Sequence, residues 1–556
     1  MIDPKIIEII KKRGITSEED IKEYFSDKPS ESYDPFLLPD MEEGVDLILS
    51  DIDAGKRICI YGDYDADGVT STVILDEILS EITQDVIHYI PSRFDEGYGL
   101  NKQAIDKIKD SGAGLIITVD CGSVSEDEVA YAKEQGLDVV VTDHHIIADK
   151  RADAILINPA REDSQYPFRY LAGCGVAFKL GQALVQALGL ESGRLTKALD
   201  LVALGTVADL VPLIGENRML VKYGLRVMNT SGRKALLTLI RKTGLEPGTL
   251  KAENISFQLA PHINSAGRMA SAQMALKLFL TKDEDRMDAY ADELVRANSK
   301  RKSYQEDVYE RAAEQVTDED LAAGIIVKYL ENAHEGVTGI AAGKLKEKYY
   351  LPAILASDSD DGMLKGTGRS IEGVDLYELL KNDKDLFSTF GGHKGACGFT
   401  IAKDDFGKLA DDLRARTKAI KDAEPEEFVQ RFDAELDLDV RDATEGFVGQ
   451  LSLMEPFGTM NPKPLIRMSG IPQGTGTMGK DGRFLRFTLS SGADRIRCVA
   501  FSAAERIKDA VEAAERDRTI LDVIGDLSKH EWNGRSYVQM EVKQAEAAEQ
   551  TGAEAR

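Results

Sequence analysis

The sequence predicts an α/β protein made of a parallel-sheet domain, a long connecting helix, a smaller α/β domain and a C-terminal β-barrel. Three observations carry that expectation. Short apolar runs, RICIY (57–61), DVIHYI (85–90), GLIITV (114–119) and DVVVT (138–142), alternate with helical patterns such as LNKQAIDKIKDSG and SEDEVAYAKEQG, the signature of βαβ units. The polar, charged stretch at 285–316 contains no glycine or proline and reads as one uninterrupted helix. After residue 430 apolar and polar residues alternate in RFLRFTL and RIRCVAF, the pattern of strands with one buried face.

Taken in order, residues 1–50 form an N-terminal helical segment. PKIIEIIKKRG carries paired apolar positions and stops at a glycine, and MEEGVDLILSDIDAG repeats the pattern. The parallel-sheet domain spans 51–275, turning mainly helical from about 173, and the connecting helix spans 276–320. The smaller α/β domain, 321–425, runs from GIIVKYL through PAILAS to GGHKGACGFTIA and closes on a helix near 403–421. In 426–548, three strands, the helix SAAERIKDAVEAAE, and two strands joined across the turn WNG give the order of an OB-fold. Arg483, Phe484, Arg486 and Trp532 are candidates for its binding surface, though a small barrel also needs aromatics in its core. The acidic tail at 549–556 reads as disordered.

Composition bounds the function. The chain has 556 residues, 43% of them hydrophobic, and no run of about 18 apolar residues, so a cytoplasmic protein with no membrane partner is expected. The five cysteines lie far apart without a C-x-x-C, which indicates reduced thiols and neither a zinc ribbon nor a disulfide framework. A net charge of -27 argues against binding nucleic acid through the overall field but leaves room for local basic stretches such as GRKALLTLIRK and RANSKRKSYQ.

The chemistry concentrates where strands end. RICIYGDYDADG delivers Asp63, Asp65 and Asp67 followed by Gly68. An EF-hand loop also begins D-x-D-x-D-G, but its twelfth position, which should be Glu, is Ile74, and the loop follows a strand rather than a helix. GLIITV runs into Asp120, DVVVT into Asp143, His144 and His145, and Asp209 interrupts the apolar LVALGTVADLVPL. Side chains at the carboxyl ends of neighbouring parallel strands meet in one crevice, so these acids and histidines should meet there too. Singly, Asp120 could cap a helix, His145 could be a satisfied core histidine, and Asp209 could be an N-cap. Together, carboxylates and imidazole with no thiolate suit Mn²⁺ or Mg²⁺, with room for two ions.

GDYDADG, VDCG, TDHH and GTVADLVPL resemble the successive motifs of the DHH phosphoesterase superfamily, and PHINSAGRM, EGVTGIAAGKL, GTGRS and FGGHKGACGF are similar to those of its RecJ exonucleases. The resemblance covers roughly residues 55–400 and the barrel adds a domain that RecJ proteins carry. It implies a 5′-to-3′ exonuclease on single-stranded DNA, releasing 5′-mononucleotides in DNA repair and recombination. Asp67, Asp120, His144 and Asp209 would hold one ion. Asp65, with Asp120 or Asp209 bridging and Asp63 close by, would hold the second. His145 would contact the scissile phosphate or orient the site. Asn264, Ser265 and Arg268, then Arg369, Ser370, Gly391, Gly392, His393 and Lys394, would grip phosphates, and Arg93 and Tyr98 of SRFDEGYGLN would stand near the site. The sequence departs from the family at Tyr61, where a metal-binding His is common. A single-strand-binding protein and a helicase are the expected partners of a monomer. The rival readings are a nanoRNase or cyclic-dinucleotide phosphodiesterase, whose chains are shorter and lack the barrel, and a non-catalytic scaffold, whose relatives have lost metal ligands.

Overall fold

The computed structural model of the chain describes residues 2–26, 32–92, 96–97, 99–147, 151–269, 271–359, 362–479, 482–532 and 534–548. Two compact units emerge: one of Asp27–Ser303 with Pro456–Pro462, the other of Met1–Ser26, Tyr304–Glu455 and Lys463–Arg556.

The first unit is built on five parallel strands, β1 (Arg57–Gly62), β2 (Val86–Tyr89), β3 (Ala113–Val119), β4 (Asp138–Thr142) and β5 (Ile155–Ile157), in the order β2-β1-β3-β4-β5. Both faces are covered, which is why the central strands are continuously apolar. Alternate residues separate into two cores. Ile58, Ile60, Leu115, Ile117 and Val140 pack with the helices Ala66–Leu79, Gly173–Ala187 and Leu199–Ala208. Cys59, Tyr61, Ile116, Val139 and Val141 pack with the helices Lys102–Asp110 and Glu126–Glu134. The strand order reverses between β1 and β3, and that switch point lies where the sequence places its acids. Strand β5, only three residues long, is an addition to the sequence-based reading.

The expected long helix runs from Glu284 to Glu314, 31 residues. In the second unit, β6 (Ile326–Leu330), β7 (Ala353–Asp358), β8 (Met363–Arg369), β9 (Phe387–His393) and β10 (Ala396–Ala402) form a sheet ordered β6-β7-β8-β10-β9, parallel only between β6 and β7. After the edge strand β11 (Leu436–Asp437) come β12 (Ile466–Met478), β13 (Phe484–Ser491), β14 (Asp494–Ala500), β15 (Leu521–Trp532) and β16 (Arg535–Ala547). Because β12 pairs with both β13 and β15, these five close into a barrel, with the helix Ala504–Asp517 between β14 and β15. The N-terminal helices pack against this part of the chain: Arg13 makes a forked bond to Glu435 at 2.7 and 2.8 Å, and Asp3 N–H donates to Gln450 Oε1 at 2.6 Å. Among the described residues, no helix is long and apolar enough to cross a membrane.

The turn between β1 and its helix depends on Gly68. A Cβ there would stand 2.4 Å from Asp63 O and 2.6 Å from Asp63 N, both backbone atoms that cannot rotate aside. Gly68→Ala should therefore cost about 1–3 kcal/mol of stability in urea unfolding; an unchanged midpoint would show that the turn is looser than this.

Candidate metal centre

Each expected acid is held by an identifiable piece of backbone. Asp65 is the N-cap of the helix Ala66–Leu79, its Oδ1 accepting from Asp67 N–H at 2.9 Å and Gly68 N–H at 3.0 Å. Asp67 caps a different helix: it accepts from Gly173 N–H at 2.6 Å and Cys174 N–H at 2.9 Å, at the positive end of Gly173–Ala187. Asp120 ends β3 at φ 63°, a left-handed conformation costly for a side chain bearing a Cβ, with its N–H donated to Thr142 O. It does not cap a helix. Asp209 is not an N-cap either. It closes the C-terminal end of Leu199–Ala208, where the helix dipole opposes a negative charge.

These groups converge on His144. Its Nε2 stands 3.0 Å from Asp120 Oδ1, 3.6 Å from Asp209 Oδ2 and 3.9 Å from Asp67 Oδ2. Ligand atoms of Asp67, His144 and Asp209 lie within 4.8 Å of one another, as do those of Asp63, Asp65 and Asp120. Two sets therefore share one crevice, with Asp120 beside both. Two glycines allow this crowding: a Cβ at Gly173 would be 2.6 Å from Asp120 Cβ, and one at Gly205 would be 2.6 Å from Asp67 Oδ1. Nothing in the sequence marks either one, since a glycine inside a helical pattern announces no contact.

Burial, and then the neighbouring Asp67 and Asp65 carboxylates, push Asp120 well above the usual carboxylate range and Asp209 up to about 8. Burial also raises Asp65 and lowers His144, leaving a neutral imidazole. Asp120 Oδ1 and His144 Nε2 are buried without completing a hydrogen bond, even to each other at 3.0 Å. Buried oxygens and an imidazole nitrogen crowded together in this way repel unless a proton or a cation lies among them. The donor set fits a hard divalent cation.

His145 has a different setting. Its Nδ1 lies 2.8 Å from Asp143 Oδ1, and Asp143 also accepts from Ser123 N–H and His144 N–H. Against the burial that would lower it, the Asp143 bond and charge raise His145 to about 9. Asp143 orients the pair, a role that its place in D-H-H concealed. Tyr61 packs in the second core, where its hydroxyl donates to Gly99 O at 2.7 Å and its ring stacks on Tyr89.

The phosphate-grip candidates divide. Asn264 Oδ1 accepts from Ala66 N–H at 2.7 Å, so it anchors the first turn of the Asp67 helix. Arg268 is half-buried on the same helix as Asn264. Ser265 is fully buried and its hydroxyl donates to His262 O, a bond internal to its helix. Ser370 is engaged likewise, its hydroxyl donating to Val374 O at 2.7 Å. In the second unit GTGRS and FGGHKG do meet, for Arg369 pairs with Ala396 and Ser370 N–H donates to Gly395 O. Arg369 donates to Gly368 O and lies against Gly339, where a Cβ would be 3.0 Å from its Nη2. Gly366 is there for packing, since a Cβ would enter the Phe399 ring. Gly391, Gly392, His393 and Lys394 are exposed at the hairpin end, and Gly392 needs its φ of 146° with no Cβ against Ala396 O. Arg93 and Tyr98 lie outside the described residues.

Comparison with known proteins agrees with this geometry. The chain matches the DHH family, N-terminal domain at 57–206, the DHHA1 domain at 322–419 and the RecJ OB domain at 432–544. It is 36% identical over 553 residues to the single-stranded-DNA-specific exonuclease RecJ of Bacillus subtilis, spanning 99% of this chain and 68% of that protein. The chain belongs to the RecJ family. RecJ of Thermus thermophilus is 34% identical over 510 residues, 91% of this chain and 71% of that protein. The crystal structure of that RecJ with Mn²⁺ superposes with a TM-score of 0.81 at 30% identity, covering 99% of this chain and 76% of the other. With Mg²⁺ the TM-score is 0.76 at 28% identity, covering 99% and 75%. RecJ relatives thus hold the two ions that the donor set here favours.

Removing one of the mutually repelling carboxylates has two opposed effects. Asp120→Asn should raise the melting temperature of the metal-free protein while weakening Mn²⁺ binding by about 10–100-fold. Thermal unfolding with and without Mn²⁺ checks both, and a Mn²⁺-induced gain as large as the wild type's would contradict the assignment.

Proposed function

We propose that the protein is a Mn²⁺- or Mg²⁺-dependent exonuclease that degrades single-stranded DNA from the 5′ end to 5′-mononucleotides, in DNA repair and recombination. The observation that carries this reading is His144 Nε2 set among Asp67, Asp120 and Asp209, beside the second group of Asp63, Asp65 and Asp120, in a chain that matches the DHH, DHHA1 and RecJ OB domains. Asp67, Asp120, His144 and Asp209 would hold one ion; Asp63 and Asp65, with Asp120, would hold the second. Bound there, divalent cations lower the pKa of a water and offset the charge of the scissile phosphate. The chain's own groups do the rest. Asp143 holds His145 by Nδ1 and keeps it cationic near neutral pH, which suits it to donate to a phosphate oxygen. Asn264 fixes the turn that carries Asp65 and Asp67. The intact donor set disfavours the scaffold reading, and the matched OB domain disfavours the short phosphodiesterases.

The barrel supplies a surface for single strands. Arg486 is exposed on β13, Phe484 packs edge-on against Phe501, and Arg497 lies 4.3 Å over the ring of Tyr537, which stacks on His530. Stacked rings and guanidinium groups accept bases of any sequence, which suits an exonuclease. Arg483 would join that face; the side chain of Trp532 lies outside the described residues. A single-strand-binding protein and a helicase are proposed partners of a monomeric, cytoplasmic enzyme.

Polarity would follow from capture of the terminal phosphate by Arg369, His393, Lys394 and the exposed glycine backbone of the β9–β10 hairpin. The enzyme should prefer 5′-phosphorylated over 5′-hydroxyl single strands, act weakly on blunt duplex, and lose the preference in Arg369→Ala and His393→Ala. A time course with matched labelled strands reads all three. Equal wild-type rates on both ends would remove terminal capture, and nucleotides released from the 3′ end would reverse the polarity.

A further inference from the structure

The segment Pro456–Pro462 lies within the matched RecJ OB domain span, yet it packs as part of the unit that holds the metal centre. It is a closed turn of its own. Gly458 and Asn461 exchange backbone hydrogen bonds at 2.9 and 3.0 Å, and the buried Asn461 donates its side-chain N–H to Pro456 O at 2.8 Å. At its tip Thr459 O accepts the N–H of Leu213 at 2.8 Å, and Gly458 lies so close over the buried Leu213 that a Cβ would be 2.6 Å from its Cδ1. Leu213 ends the turn that begins at Asp209. Between them Leu210 sits at φ 61° with its side chain 64% exposed, a strained backbone that persists only where its surroundings enforce it. Asn217 holds the same turn from the other side, donating to Pro212 O at 3.0 Å.

We infer that Pro456–Pro462 is a positioning element of the metal centre, a clasp that fixes the turn after Asp209 and so keeps its carboxylate near His144. This rests on the reading of Asp209 as a metal ligand. Asp209 sits at a helix end whose dipole repels it and beside other carboxylates, so it swings outward unless its turn is held. The clasp touches no ligand itself and acts through the backbone of the turn. A chain ended before the barrel would lose it along with the barrel, so weakened cleavage in such a chain would reflect a loosened metal site as well as lost DNA contacts.

The test uses the full-length protein and reads metal binding directly. In Gly458→Val, folded by circular dichroism, the Mn²⁺ dissociation constant from calorimetry should rise roughly tenfold, and the amides of the 209–213 turn should exchange faster with deuterium. A folded variant that binds Mn²⁺ as tightly as wild type overturns the clasp alone. Should that variant fail to fold, wild-type exchange decides: the Leu213 amide should be protected like those of Leu199–Ala208, and exchange at the rate of an open loop overturns the inference. A wild type that binds no Mn²⁺ overturns both the clasp and the metal-centre reading beneath it.

Discussion

Mutual repulsion among buried carboxylates is the constraint on which the rest of the first unit depends. Five aspartates, Asp63, Asp65, Asp67, Asp120 and Asp209, share one crevice with a neutral imidazole, and burial raises Asp65, Asp120 and Asp209 above the usual carboxylate range. The surrounding backbone reduces the cost where it can. Asp67 sits on the N-terminus of Gly173–Ala187, and Asp65 accepts two N–H groups of its own helix. Elsewhere it imposes cost, with Asp120 left-handed and Asp209 at the wrong end of a helix dipole. Carboxylates crowded at such cost suit a site for divalent cations.

Much of this was legible because the decisive signals are local. A strand of β-formers followed at once by acids places those acids at the carboxyl edge of a parallel sheet, and β1, β3 and β4 prove to be adjacent. The barrel was legible for the same reason, since strict alternation and one helix between strands leave few alternatives. What escaped depends on contacts distant in sequence. Gly173 and Gly205 matter through what a Cβ would strike on another element, and nothing in their own neighbourhood says so. Ser265 and Ser370 read as donors to a phosphate, but each hydroxyl donates to a nearby backbone carbonyl, Ser265 within its own helix and Ser370 across its turn. Tyr61 lies on β1 on the same face as Cys59, and both enter the second core, where the Tyr61 hydroxyl serves Gly99.

Net charge over the whole chain is -27, and the acids of the metal centre add to it. Groups suited to anions in the second unit include Arg369, the exposed glycine hairpin and the barrel face with Arg486 and Arg497. Attraction of a polyanion to an acidic protein must then be local and screened within about 10 Å at moderate salt.

Proton release on metal binding tests the central claim most directly. If buried carboxylates are kept apart only by protons in the metal-free state, with Asp209 raised to about 8, then Mn²⁺ must displace those protons as it binds. Calorimetric titration of the metal-free protein at pH 7 in buffers of different ionisation enthalpy measures the number released. The account predicts saturable binding, net proton release, and an affinity that rises with pH up to about 8, the value to which Asp209 is raised. Saturable binding with no protons released and no dependence on pH would contradict it.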